Sequence, residues 1–392
     1  MSLKVAQRGL VPPFIAMDVM RDAWALEAAG RSIIHLEVGQ PMTGMPKKAA
    51  AKVAELLAGG EPLGYTVAGG IPALAHRISR YYAEEYGARV PAGRIFGTIG
   101  SSAGFVLAFL TAFEAGDRVA LASPGYPAYR HILKSLGIVP ELIAVDAASH
   151  YQLTVDHLKR LPKLPHGLIV ASPANPTGSI VPEDEFRHLA QFCDRNGIRL
   201  ISDEIYHGIT YGPKVAVATD LSDSVIVVNS FSKYFSMTGW RMGWLVIPED
   251  LKRPMECLAQ NLFISPPAVS QHGAMFAMDC KDELQENVAR YARNRAVLLK
   301  NLPEIGIEKF APADGAFYIY ADVSPLTADS MDFCRRVLHE AGVAITPGID
   351  FDPFHGRRFV RFSFAGATAD MEEACARLKS WRAGLNDRSL RN

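Results

Sequence analysis

Short apolar runs rich in β-formers recur through the middle of the chain, at residues 94–99, 118–122, 168–172, 199–202, 225–229 and 243–247. Such near-continuous apolar runs are expected of strands buried on both faces of a sheet. Amphipathic stretches separate them. Residues 183–196, for example, open after Pro182 and close at Gly197, the expected start and stop chemistry of a helix. This alternation predicts an α/β fold whose large domain has a mostly parallel sheet flanked by helices. The most apolar stretch, 106–113, is ended by Glu114, Gly116 and Asp117 and reads as a buried helix.

The pattern changes in the last third. A long charged helical stretch at 281–302 is followed by strand candidates at 317–323, 343–346 and 358–364 and by helical stretches at 330–341 and 369–383. That mixture predicts a smaller α+β domain. The segment 17–30 is too short to hold a core alone, so the N-terminal residues are expected to pack with it. The expected division is a large domain over 46–280 and a small domain over 1–45 and 281–392.

Composition narrows the function classes. The 392 residues carry 41 basic and 41 acidic side chains, a formal net charge of zero, so no global field favours nucleic acid or an anionic membrane. Small-molecule partners are the expectation. Five scattered cysteines without a C-x-x-C spacing fit a reducing compartment and no metal site. Without a signal peptide at the start, or the roughly 20 continuous apolar residues of a membrane span, the expected location is the cytoplasm.

Several short motifs follow predicted strands. Ser230-Phe231-Ser232-Lys233 comes just after the run 225–229, and Thr238-Gly239-Trp240-Arg241-Met242-Gly243 follows it. A lysine at a strand end becomes an electrophile-capturing amine when desolvation or nearby cations lower its pKa. Asp203 and Glu204 end another run, where a carboxylate and first-turn acid would ordinarily cap a helix. Asn175-Pro176-Thr177-Gly178 has turn chemistry. Gly100-Ser101-Ser102 lies where a strand becomes a helix, a place suited to an anion. Arg361, in a strand candidate of the small domain, offers a planar fork for a carboxylate.

Taken together, S-x-S-K and the downstream G-x-R-x-G resemble the cofactor-lysine signature of class I and II aminotransferases, the fold-type I pyridoxal-phosphate enzymes. The resemblance runs from about residue 38 to residue 365. It implies pyridoxal 5'-phosphate held as a Schiff base on Lys233, with Asp203 at the pyridine nitrogen and Tyr206 and Asn175 at the phenolic oxygen. It further implies a phosphate cup of Gly100, Ser101, Ser102, Ser230, Ser232 and Arg241, and Tyr126 stacked on the ring. Arg361 would bind the substrate α-carboxylate, and Gly39 would close over it. Tyr65 resembles a tyrosine that reaches the cofactor phosphate of a neighbouring subunit, which implies a homodimer with shared sites.

The implied reaction moves an amino group from an L-amino acid to a 2-oxo acid. The same apparatus serves lyases and synthases, a carbon–sulfur β-lyase among them, because the cofactor does the electronic work. A serine hydrolase is a rival, since Gly100-Ser101-Ser102-Ala103-Gly104 is also a G-x-S-x-G, with Ser102 as nucleophile, Asp203, and His272 or His355. That reading leaves Lys233, Asn175 and Arg361 unexplained. The S-x-x-K of penicillin-binding enzymes lacks its S-D-N and K-T-G partners. A regulator with an added DNA-binding module is disfavoured, because only 38 residues precede Gly39. For the substrate side chain, 261–271, with Phe263, Ile264, Pro266 and Pro267, is the apolar candidate, and Arg21, Arg293 and Arg295 are the candidates for a second arginine.

Overall fold

The computed structural model describes residues 3–389. A seven-stranded sheet is built, in spatial order, from Ile95–Thr98, Gly243–Val246, Ile226–Ser230, Arg199–Asp203, Gly167–Ala171, Arg118–Ser123 and Val139–Ala144. Every pairing is parallel except the two made by Gly243–Val246, which runs antiparallel to both its neighbours. The α/β expectation holds. Five of the strands are buried almost throughout, and helices cover both faces. Residues 106–112 of that stretch belong to the helix Gly100–Ala112, which Phe113 ends, and the helix is apolar all round because it lies between the sheet and the helix Lys252–Leu262.

The strand Val139–Ala144 was not legible in the sequence. It is a half-exposed edge strand, and Pro140 is tolerated there because an edge strand need not donate on both sides.

A second, four-stranded antiparallel sheet has the order Thr346–Pro347, Phe359–Ser363, Tyr318–Asp322, Lys309–Phe310. Ile34–His35 pairs in parallel with Val343–Ala344 as a separate ribbon. The single strand expected over 343–346 is therefore two short ones, in which the chain leaves one sheet at Ile345 and enters the other. The helical stretch expected over 330–341 is the helix Ser330–Arg336 closed by a wide turn that Gly342 ends at φ +68°. The N-terminal helix Ile15–Ala28 packs on this part of the chain, with Ala23 and Ile33 buried against Leu338 and Ala344.

The register explains where the chemistry gathers. Parallel strands end on the same edge of a sheet, and ligands bind outside the carboxyl ends of such strands. Ala171 is level with Asp203, and Asp203 with Val228, so the loops carrying Asn175, Asp203 and Lys233 leave the sheet side by side. The one antiparallel strand begins at this edge, which brings Arg241 to it.

Behind the edge the packing is tight. A Cβ on Gly243 would lie 2.8 Å from the Asn229 carbonyl oxygen and 3.0 Å from the Gly100 and Ser101 backbone. Gly243→Ala is therefore expected to cost about 1–3 kcal/mol by overpacking, read as a lower urea midpoint with unchanged slope. An unshifted midpoint would mean that the 100–101 turn yields freely.

Candidate active site

A cavity of about 190 Å³ opens at the carboxyl edge of the large sheet. Of the residues expected at the site, Gly39, Ser101, Ser102, Tyr126, Asn175, Asp203, Tyr206, Ser232, Lys233, Arg241 and Arg361 line it. Gly100 and Ser230 stand just behind the wall. The Ser230 hydroxyl donates to Ser232 Oγ at 2.9 Å, so it orients the serine that does face the cavity. Tyr65 is 85% exposed and does not line the cavity of its own chain.

Lys233 follows the buried strand Ile226–Ser230, and its Nζ donates to the Gly39 carbonyl at 2.6 Å. Burial first, and then the positive charges of Arg361 and Arg241, bring its pKa down to about 8, against the opposing pull of Asp203. About a tenth of the amine is then neutral at pH 7, far more than for an ordinary lysine.

Asp203 ends its strand with both carboxylate oxygens occupied. Oδ1 accepts the Ile205 N–H at 3.1 Å, the local turn-capping contact that such a residue ordinarily makes. Oδ2 accepts a short hydrogen bond from the Tyr129 hydroxyl. Burial pushes the Asp203 pKa up to about 6, while Tyr129, Ile205 and Lys233 hold it down. The carboxylate is therefore charged at neutral pH.

Arg361 lies on the strand Phe359–Ser363, level with Tyr320 on one side and Thr346 on the other. It is 1% exposed. Nη1 donates to Asn175 Oδ1 at 2.9 Å, and Nη2 donates to the Glu37 carbonyl and to Thr346 Oγ1. The guanidinium stacks 4.5 Å from the centre of the Tyr318 ring and 4.7 Å from that of Phe351. Its Nε is buried without a partner. A buried unpaired donor is costly, and an incoming carboxylate would satisfy it.

At the other end of the cavity, Arg241 adopts a left-handed backbone conformation at φ +51° and anchors Nη1 on the Thr238 carbonyl at 3.0 Å. Its guanidinium occupies the space beside Gly100, where a Cβ would fall 2.3 Å from Nη2. Gly100 has φ +70° and begins the helix whose first turn carries Ser101 and Ser102. A guanidinium, a helix N-terminus and the hydroxyls of Ser101, Ser102 and Ser232 form a donor set suited to a dianion.

Three contributors escaped the sequence reading. Tyr129 lies three residues after Tyr126 on the helix Pro127–Ser135, a spacing that places the two rings together at 5.2 Å, and that spacing was the available signal. The Tyr318 hydroxyl is 2.7 Å from that of Tyr206. Phe14, Ala16 and Met17, from the N-terminal helix and its entry, form an apolar wall. The segment 261–271, expected to line a side-chain pocket, does not reach this cavity. Arg21 is exposed and pairs with Asp18, Arg295 donates to the Ala313 carbonyl, and neither these nor Arg293 lines the cavity. The hydrolase alternative fails on geometry, because no histidine is among the described residues lining the cavity with Ser102.

The fold and this edge site define an aminotransferase. Residues 31–378 match the family model "Aminotransferase class I and II", and the chain belongs to that family. It is similar to a valine–pyruvate aminotransferase of Mycobacterium tuberculosis, 47% identical over 97% of this chain and 99% of the relative. A solved aminotransferase from the same organism superposes with a TM-score of 0.96 at 46% identity, covering 98% of this chain and all of the other. Aspartate aminotransferase from Thermus thermophilus with maleate gives 0.90 at 26% identity, over 97% and 100% of the two chains. The chain is an enzyme that moves amino groups to 2-oxo acids, which resolves in favour of transamination the choice the motifs left open.

The Tyr129 contact has a measurable consequence. Tyr129→Phe removes a donor that favours the charged carboxylate, so the Asp203 pKa rises above about 6. The acid limb of the activity profile is expected to move to higher pH. A limb that stays in place would exclude Tyr129 from holding the charge on Asp203.

Proposed function

We propose that the enzyme is a pyridoxal-phosphate-dependent aminotransferase for aliphatic L-amino acids, with a small 2-oxo acid as acceptor. One observation carries this reading. The only lysine or arginine side chains among the described residues lining the cavity are Lys233, Arg241 and Arg361. Lys233 serves the amine chemistry, Arg241 the phosphate and Arg361 the α-carboxylate. None is left for a second carboxylate, and the remaining wall includes Phe14, Ala16, Met17, Val38, Phe105 and Ile132. The name of the 47% identical relative, a valine–pyruvate aminotransferase, supports the same substrate class.

The residues fit the cofactor. Ser101, Ser102, Ser232 and Arg241 would hold the phosphate, with Gly100 and Ser230 as their support. Asp203 would keep a proton on the pyridine nitrogen. Asn175 Oδ1 is occupied by Arg361, which leaves the Nδ2 hydrogens for the phenolic oxygen beside the Tyr206 hydroxyl. Tyr126 would cover the ring. When bound, the cofactor supplies the electron sink for charge developing at the substrate α-carbon.

The protein's own work follows from these positions. Arg361 fixes the α-carboxylate with its free donors, and Gly39 forms the wall beside it, where a Cβ would collide with the Tyr318 hydroxyl. Lys233, with its pKa lowered to about 8, takes the α-proton as a general base and returns it as a general acid. The apolar wall excludes water from the side-chain end.

Tyr65 and Val67 are exposed, and the neighbouring Leu262 and Ile264 are half exposed on the segment that Thr66 N–H joins through Ser265 Oγ at 3.3 Å. We read this face as the contact between two copies, with Tyr65 reaching the phosphate of the other copy. Light scattering is expected to give twice the chain mass, and a monomer that remains fully active would overturn that pairing. The free cysteines agree with a cytoplasmic location, and no helix among the described residues is long and apolar enough to cross a membrane. The division into 46–280 and the two flanking parts remains our reading of the domains.

Adding valine to the holoenzyme is expected to convert the cofactor spectrum to the amine form, and pyruvate to restore it. Aspartate should react about 100-fold less efficiently, a gap of about 2.7 kcal/mol. Equal rates with valine and aspartate would overturn the substrate class.

A further inference from the structure

Outside the cavity, two buried ionisable groups face each other without any role in the site described above. Glu204 directly follows the strand Arg199–Asp203, and neither it nor His207 lines the cavity. Glu204 is 0% exposed. Oε1 accepts the Ala218 N–H at 2.9 Å and is 3.3 Å from Ser202 Oγ. Oε2 has no hydrogen-bond partner, but His207 Nδ1, equally unpartnered and 3% exposed, lies 3.5 Å from it.

The other ring nitrogen fixes the tautomer. His207 Nε2 is 3.1 Å from the Ser172 carbonyl oxygen, which can only accept, so Nε2 carries the hydrogen. In a neutral ring, Nδ1 then presents a lone pair to Glu204. A charged carboxylate would set lone pair against lone pair in a buried site, which is strongly unfavourable. One proton between the two atoms removes the conflict. Burial opposes charge on either group, and Asp203 and Asp220 add negative potential that further opposes a carboxylate charge on Glu204, while Tyr82 and Tyr86 face the pair from the helix Pro72–Tyr86. The Tyr86 and His207 rings lie 5.5 Å apart.

We propose that Glu204 and His207 form a positioning pair joined by one proton that resides on Glu204, and that this pair anchors the turn carrying Asn175 while adding no charge next to Asp203. The anchor acts through Ser172, three residues before Asn175, whose Oδ1 receives Arg361 Nη1. Neutrality matters because a second carboxylate charge beside Asp203 would raise the pKa of Asp203, and that carboxylate must remain ionised.

The direction of the Glu204 shift, up to about 8 under burial, agrees, as does that of His207, down to about 3. Between the ordinary glutamate value of 4.5 and about 8, the folded protein keeps a proton that the unfolded chain has released. Glu204 alone therefore loses stabilising effect as pH rises across that window. His207 opposes it up to 6.5, where the unfolded chain binds a proton that the folded ring does not, so the net loss for the pair falls between 6.5 and about 8, and the Glu204 part is isolated by comparison with a variant that keeps His207.

Glu204→Gln replaces the acid by a neutral donor of the same shape and removes the Glu204 part of this dependence. The test compares the Tm of the wild-type and Glu204→Gln holoenzymes from pH 5 to pH 9. The Gln variant should gain on the wild type by several degrees as pH rises to about 8, and the gain should then level off. A difference that stays flat across the window would mean that Glu204 is already ionised, and the proposal fails. Nitrogen NMR of the wild-type protein gives a second reading that needs no variant. It should find His207 neutral with the proton on Nε2, and a doubly protonated ring would overturn the assignment. For the positioning role, which rests on the transaminase reading, His207→Phe should raise the KM for the amino acid several-fold with kcat little changed, and His207→Gln should restore it. An unchanged KM in His207→Phe would remove that role while leaving the stability test intact.

Discussion

Parallel strands deliver their carboxyl ends to one edge of a sheet, and the chemistry of this enzyme depends on that constraint. Asn175, Asp203 and Lys233 belong to three loops separated in sequence, yet the register of Gly167–Ala171, Arg199–Asp203 and Ile226–Ser230 sets them side by side. The single reversed strand, Gly243–Val246, serves the same edge from the opposite direction by starting there, immediately after Arg241. Glycines at 100 and 243 allow the backbone and the guanidinium to meet behind the cavity at distances that any side chain would prevent.

Placing charges in this cavity requires compensation, and the small sheet supplies much of it. Arg361 is buried, but it is held by the Asn175 amide oxygen and the Glu37 carbonyl and stacked between Tyr318 and Phe351. The same positive charge lowers the Lys233 pKa, so on the proposed reading the residue that binds the carboxylate also prepares the amine. Asp203 offsets part of that effect and is kept ionised by Tyr129. The four groups form one electrostatic unit, and their pKa values are properties of the set. Outside the cavity, the proposed neutral Glu204–His207 pair keeps the balance from being disturbed.

How much of this was legible in the sequence follows from how local each feature is. Lys233, Asp203, Asn175 and Arg241 stand in short motifs just after apolar runs, so strand pattern and motif together located them. Arg361 was readable as a carboxylate fork within a strand, but its partners Glu37 and Thr346, 324 and 15 residues away, were not. Tyr318 contributes through a hydroxyl that meets Tyr206 across 112 residues, a contact with no local signature. The edge strand Val139–Ala144 was missed because half exposure and Pro140 erase the apolar pattern. The apolar segment 261–271 misled for the converse reason: a greasy stretch reports burial or contact without saying which cavity it faces.

On the proposed reading, Lys233 is the amine that holds the cofactor. Borohydride reduction of the holoenzyme, followed by proteolysis and mass spectrometry, tests it directly. The reduced cofactor is expected on the peptide containing Lys233 and on no other. Stoichiometric label on a different lysine, or an adduct that still forms in Lys233→Ala, would contradict it.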